Sequence, residues 1–403
     1  MSSSASKSGG SAVDRVGRNV GLLAACQAML FTNNSTLIAI NGLAGLALAP
    51  SATLATLPVT CWVVGGAIAT MPASQYMRKV GRQAGLIRGA SIGILGALIS
   101  AAAAWQASFW LLCFGAMVFG FFNSFGQYYR FVAAEVAPMH FRAKAVSLVL
   151  AGGLVGGILG PSLSRVTVDM VGPKFTGAYL TLILFVLVTI GILSRIRVPD
   201  LSAEEQARKG RPMSVIARQP KYVVAVLSAA ISYGVMNFLM VSTPIAMGVC
   251  GHPYGDAALV ISSHVVGMFA PSFFTGSLIK RFGTIPVMLA GAALNAVSIG
   301  IALAGVAVAN FWWALVLLGV GWNFLYIGAT TLLTETYRPE ERAKAQGLNE
   351  FAIFAMMAAS SFTSGMIVAS AGWEKVNYAA APLIAIVVAA LVYLLLRGRP
   401  APA

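Results

Sequence analysis

The chain has 403 residues, 58% hydrophobic and 10% charged, with 27 Lys and Arg against 12 Asp and Glu and a mean hydropathy of +0.82. A soluble domain carries roughly a quarter charged residues, so a chain this long and this poor in charge cannot cover itself for water. Its apolar runs approach the roughly 20 residues of a spanning helix, not the short alternating strands of a β-barrel, which leaves an α-helical membrane protein.

Residues 1–18 open with a Ser- and Gly-rich stretch that lacks an apolar core and a small-residue cleavage site. They read as a disordered cytoplasmic tail, not a signal peptide. Apolar segments then follow at 19–46, 52–77, 84–104, 107–134, 143–168 and 175–195. A polar stretch at 197–220, with Pro199, Asp200, Glu204, Glu205, Arg208, Lys209, Arg211 and Pro212, is the one long connection. Six more segments come at 221–249, 255–279, 284–305, 308–335, 343–370 and 376–396. The expected organisation is a six-helix bundle at 19–196, a cytoplasmic linker at 197–220, a second bundle at 221–397 and a tail at 398–403.

All Lys and Arg except Arg130, Arg165, Lys174 and Lys375 fall on one side when the tails and even-numbered connections are grouped together. By the positive-inside rule that side is cytoplasmic, so both termini and the linker are expected there, in the cytoplasmic (inner) membrane. The net charge of +15 is thereby used for topology and requires no nucleic acid. Cys26, Cys61, Cys113 and Cys250 are scattered, without disulfide or metal spacing. No phosphate loop, metal cluster or catalytic Ser/His/Asp set is found. The sequence therefore points to no enzyme, no ATP-driven pump and no cofactor.

The two halves repeat. Glu135–Ala145, EVAPMHFRAKA, matches Glu335–Ala345, ETYRPEERAKA, in the junctions after segments four and ten. Asn123 and Asn323 keep the same spacing inside those segments, and MRKVGR from Met77 parallels IKRFGT from Ile279. The fold expected is all-α, with twelve transmembrane helices in two pseudo-symmetric six-helix bundles.

On these residues the chain resembles the major facilitator superfamily, in its bacterial type, over nearly its whole length. The family's signature between its second and third helices is met by Ser74, Arg78, Lys79, Gly81 and Arg82, and again by Gly276, Lys280, Arg281 and Gly283. The acidic residue with which the family latches its halves is basic in both copies. Glu350 is expected to supply that acid to Arg78, a solvated basic loop that serves only topology being the competing reading, with Arg82, Glu135, Arg142, Lys280, Arg281, Glu335 and Arg342 as further gating or latch residues. In segment five, Gly156, Gly160 and Pro161 match a motif common in the family's exporters. Close helix packing is an equal reading, since small residues let helices approach and proline bends them.

No acidic residue lies near a segment midpoint. The polar residues at depth are Asn33 and Asn34, Asn123, Ser124 and Gln127, Tyr233 and Asn237, His264, and Asn323 and Tyr326. All but His264 belong to segments one, four, seven and ten, which line the central cavity in the family. Asn33, Asn34, Asn123, Gln127, Arg130, Tyr233, Asn237, Asn323 and Tyr326 are therefore the candidate cavity residues. Helix-to-helix hydrogen bonding is the competing reading for each amide, and an interfacial position that for Arg130. His264 is the candidate proton carrier, since an imidazole titrates near neutrality, with hydrogen-bonded packing the alternative.

The resemblance implies a secondary transporter working by alternating access on a small organic solute, functional as a monomer, with protons as a candidate partner besides the bilayer. The segment-five motif favours export of drug-like or aromatic compounds. Uptake of a small metabolite is the alternative, and a transporter-like sensor a distant one.

Overall fold

In a computed structural model of the chain, residues 5–51, 54–198 and 210–397 are described. Among them eleven helices are long and apolar enough to cross a membrane, and one bent pair makes a twelfth. Large apolar side chains such as Leu46, Trp110, Leu184, Phe362 and Leu396 stand exposed on the helices, as a surface turned to lipid requires. Of the polar stretch at 197–220, residues 197–198 and 210–220 are described and 199–209 lie outside the described residues.

The chain forms two compact units. One takes Met1–Gly65 and Tyr76–Ala203, and the other Gly66–Gln75 and Glu204–Ala403. The first seven helices are α1 (Ala5–Leu48), α2 (Leu57–Val80), α3 (Arg82–Trp105), α4 (Phe109–Gly126), α5 (Tyr129–Val136), α6 (Arg142–Thr167) and α7 (Thr176–Leu193). The remainder are α8 (Met213–Ile216), α9 (Pro220–Val249), α10 (Tyr254–Phe269), α11 (Ser272–Phe282), α12 (Thr284–Leu303), α13 (Val308–Thr334) and α14 (Arg342–Arg397). Helix α1 starts well ahead of the apolar run that begins at residue 19. Helix α14 holds two spans joined through Gly372, whose φ of 79° and ψ of 177° interrupt the helix.

The repeat in the sequence reappears as structure. In the first unit α1 packs on α6, and α3 on α4 and α7; in the second α9 packs on α14, and α12 on α13 and α14. Short 3-10 turns, Met139–Phe141 and Pro339–Glu341, precede α6 and α14 at matching places. Gly81 (φ 89°) and Gly283 (φ 90°) make the sharp steps into α3 and α12. A side chain is strained at that φ, which explains the glycine in both copies of the loop motif.

Two predicted segments are broken. The run at 255–279 is divided into α10 and α11, bent by 41°, with Pro271 at the break. Proline offers no N–H and its ring clashes with the preceding turn. The run at 107–134 is interrupted between α4 and α5 at Gln127 and Tyr128.

Candidate functional site

The α4–α5 break organises the polar residues of the first unit. Asn34 on α1 donates from Nδ2 to Asn123 Oδ1 on α4 at 2.8 Å, and Gln127 Nε2 reaches the same oxygen at 3.3 Å. Arg130, 2% exposed, donates through Nη1 to the Gln127 carbonyl at 3.1 Å and to Gln127 Oε1 at 3.2 Å. Its guanidinium lies 4.6 Å from the centre of the Phe131 ring. Asn34, Asn123, Gln127 and Arg130 thus form one relay. Asn33 lies apart from it: fully buried, with neither amide atom hydrogen-bonded among the described residues.

In the second unit the polar residues separate into three places. Tyr233 on α9 meets Trp322 and Tyr326 of α13 edge-on, each at 5.4 Å between ring centres. Trp322 stacks on Tyr326 at 4.8 Å and 19°, and Phe269 adds an edge to Trp322 at 5.9 Å. Asn237 is directed elsewhere, donating to Ser360 and Ser361 Oγ at 2.9 and 2.6 Å. Asn323 staples the α10–α11 break: its Nδ2 donates to the Met268 carbonyl and to Ser272 Oγ, both at 2.6 Å. Thr275 returns a bond to Asn323 Oδ1 at 2.7 Å. The last carbonyls of a helix lack onward donors, and this amide satisfies that of Met268 in the last turn of α10.

His264 joins none of these groups. It is fully buried, its Nδ1 is 2.7 Å from the Leu315 carbonyl, and its Nε2 has no hydrogen-bond partner among the described residues. A carbonyl only accepts, so the proton sits on Nδ1.

The charged residues at the helix ends fall into pairs that differ between the halves. Arg82 binds Glu135 through two bonds, Nη2 to Oε1 at 2.6 Å and Nε to Oε2 at 3.1 Å. The matching Glu335 instead pairs with Lys221 at 2.6 Å; α12 opens with Thr284 where α3 opens with Arg82. Glu341, fully buried, takes Arg211 Nε and Nη2 at 2.8 and 2.7 Å and the Arg211 and Arg338 backbone N–H groups at 2.7 and 3.0 Å. That carboxylate raises the pKa of Arg211 above its ordinary value, through the hydrogen bond first and the charge second. Lys344 closes the set on the Arg211 carbonyl. Glu350 is fully buried and accepts from Asn349 Nδ2 at 2.8 Å. Arg342 is buried, Arg78 and Arg142 are half-buried, and Lys280 and Arg281 are exposed.

The glycines of α6 lie directly against α1. A Cβ on Gly156 would come 2.5 Å from Thr32 N, and one on Gly160 would come 2.5 Å from Ser35 Cβ. Thr36 Oγ1 also donates to the Gly160 carbonyl at 3.1 Å. The side chain of Pro161 lies outside the described residues.

Comparison with known proteins decides the family. The model of the Major Facilitator Superfamily matches residues 23–270 and again 225–403. The chain belongs to that superfamily. As a member of it, the protein is a multi-pass membrane transporter and not an enzyme. This transporter is 40% identical over 386 residues, 95% of this chain and 96% of the relative, to the riboflavin transporter RfnT of Brucella anthropi. It is 28% identical over 361 residues, 85% of this chain and 83% of the relative, to the uncharacterized MFS-type transporter YddS of Bacillus subtilis. Among solved structures, FucP in its outward conformation aligns with a TM-score of 0.73 at 19% identity, over 93% of this chain and 98% of FucP. The human organic anion transporter MFSD10 aligns with a TM-score of 0.76 at 11% identity, over 93% and 99%. These two share the fold.

Trp322, Phe269, Arg211 and Glu341 are not among the functional residues that the sequence singles out. Trp322 stands beside Asn323 and one turn before Tyr326, a spacing that pairs two rings on one helix face. Aromatic residues are common enough in membrane helices that this signal reads as ordinary.

Proposed function

We propose that this transporter takes up riboflavin, or a flat heteroaromatic solute of the same kind, by alternating access. The observation that carries the reading is the 40% identity, along nearly the whole of both chains, to a protein named for riboflavin transport. The ring cluster supports it: Tyr233, Trp322 and Tyr326 can stack on or edge against a fused ring system, at roughly 0.5–1.5 kcal/mol per favourable pair. The absence of carboxylates among the deep polar residues suits a neutral solute.

Export draws support only from the glycines of α6, and close packing on α1 accounts for them. In this proposal Tyr233, Trp322 and Tyr326 of the second unit meet the ring; Asn34, Gln127 and Arg130 are candidate polar contacts within the first unit. Asn123, Asn237 and Asn323 hold helices together. A cytoplasmic position for both termini, function as a monomer and any coupling to protons belong to the same proposal.

Riboflavin is fluorescent and stacking on Tyr or Trp quenches it, so titration of the purified transporter reads binding directly. Saturable quenching is expected, together with riboflavin accumulation in cells producing the protein, both weakened at least tenfold by Trp322→Ala. Absence of quenching and of saturable uptake in the wild type would sink the reading.

A further inference from the structure

Away from the residues above, the first unit contains a cavity of about 490 Å³ bounded by α1, α3 and the chain that leaves α7. Arg18, Arg195 and Arg197 line it, over Leu22 and Ile196. The three arginines are exposed and Ile196 is buried. Among the described residues no Asp or Glu lines the cavity, and none of the three guanidiniums has an ion pair.

Its shape is set by amide contacts. Asn19 Nδ2 donates to the Arg197 carbonyl at 2.8 Å, and Gln83 Nε2 donates to the Leu193 and Ser194 carbonyls at 2.9 and 3.1 Å. The last carbonyls of a helix are its unsatisfied, negative end. Here amides consume them, so the cavity shows cations over an apolar floor. Above it, α7 carries the exposed Leu184, Leu187 and Val188, a surface for hydrocarbon chains.

We infer that this cavity binds the headgroup phosphate of an anionic phospholipid. Guanidinium forks match phosphate oxygens in pairs. Basic pockets between membrane helices on the cytoplasmic side are where acidic lipid headgroups collect. The lipid's chains lie along α7 while its phosphate meets the three arginines. Of the orientation proposed above, only the choice of leaflet depends on it; the binding does not.

The test uses the intact transporter in detergent, where both faces are accessible, so a wrong orientation cannot mimic a failure of the site. Phosphatidylglycerol and phosphatidylcholine are added separately, with retained lipid read by native mass spectrometry and stability by melting temperature. Phosphatidylglycerol is expected to be retained and to raise the melting temperature more than phosphatidylcholine does. Combined Arg18→Gln, Arg195→Gln and Arg197→Gln should weaken retention tenfold or more, while replacement of all three by Lys, which keeps the charge but loses the paired fork, should retain an intermediate share and serves as the folded control. Equal retention of both lipids, or unchanged retention in the Gln variant, overturns the inference. So does displacement of the lipid by inorganic phosphate, which would make the cavity a site for soluble anions.

Discussion

The same substitution at two buried asparagines has opposite expected effects, because one amide is used and the other is not. Asn323 holds the Met268 carbonyl, Ser272 and Thr275, so Asn323→Leu strands buried groups and should cost about 2–3 kcal/mol. Asn33 has no hydrogen-bond partner among the described residues, so Asn33→Leu should be neutral or stabilising by up to about 1 kcal/mol. Melting curves of the two variants in one detergent decide both, and a loss at residue 33 as large as at 323 would show that Asn33 has a role the packing does not reveal. The same logic applies to His264. A charged ring would bury an Nε2–H that no described residue accepts, on top of the bond to Leu315. We expect His264→Gln to leave any pH-gradient-driven accumulation in proteoliposomes intact. Loss of accumulation with exchange preserved would assign the proton to His264.

Helices and their repeat are legible in the sequence because hydropathy and residue spacing are properties of the chain itself. Segment positions, the two halves and the glycines at Gly81 and Gly283 all follow from local sequence. The partners of side chains do not, since they depend on which helix face meets which. Asn34, Asn123, Asn237 and Asn323 are recognisable as deep amides, yet only packing separates a relay, a helix tie and a staple. Pro271 is in plain view but sits inside an unbroken apolar run, and hydropathy does not register a bend. The glycines of α6 make the same point in a testable way. Gly156→Ala would drive a Cβ into the backbone of α1 at Thr32 and Ala28, at a cost of roughly 3 kcal/mol or more. Gly191→Ala on α7, where nothing lies within 4 Å, should be neutral or stabilising, by up to about 1 kcal/mol. Yields of monodisperse protein and melting temperatures compare the pair; equal behaviour would mean that α1 and α6 are not in close contact.

For the molecule as a whole, charge asymmetry predicts orientation. Tags at the N-terminus, within 201–211 and at the C-terminus should all report cytoplasmic, and a cysteine-reactive probe outside the cell should reach Cys250, which is exposed beside Gly251. A tag in 201–211 accessible from the exterior would invert the topology. The halves are related but not interchangeable, because the grip of Glu341 on Arg211 has no counterpart in the first among the described residues. Phe141 stands at the position that matches Glu341, and a phenyl ring cannot chelate a guanidinium through two oxygens. Division of the gene is constrained accordingly. A C-terminal fragment starting after Arg211 would leave Glu341 as a buried charge without its guanidinium, whereas one starting at or before Gly210 carries its own counter-ion. Two-plasmid co-production should therefore recover transport with a cut upstream of Gly210 and fail with a cut only a few codons later.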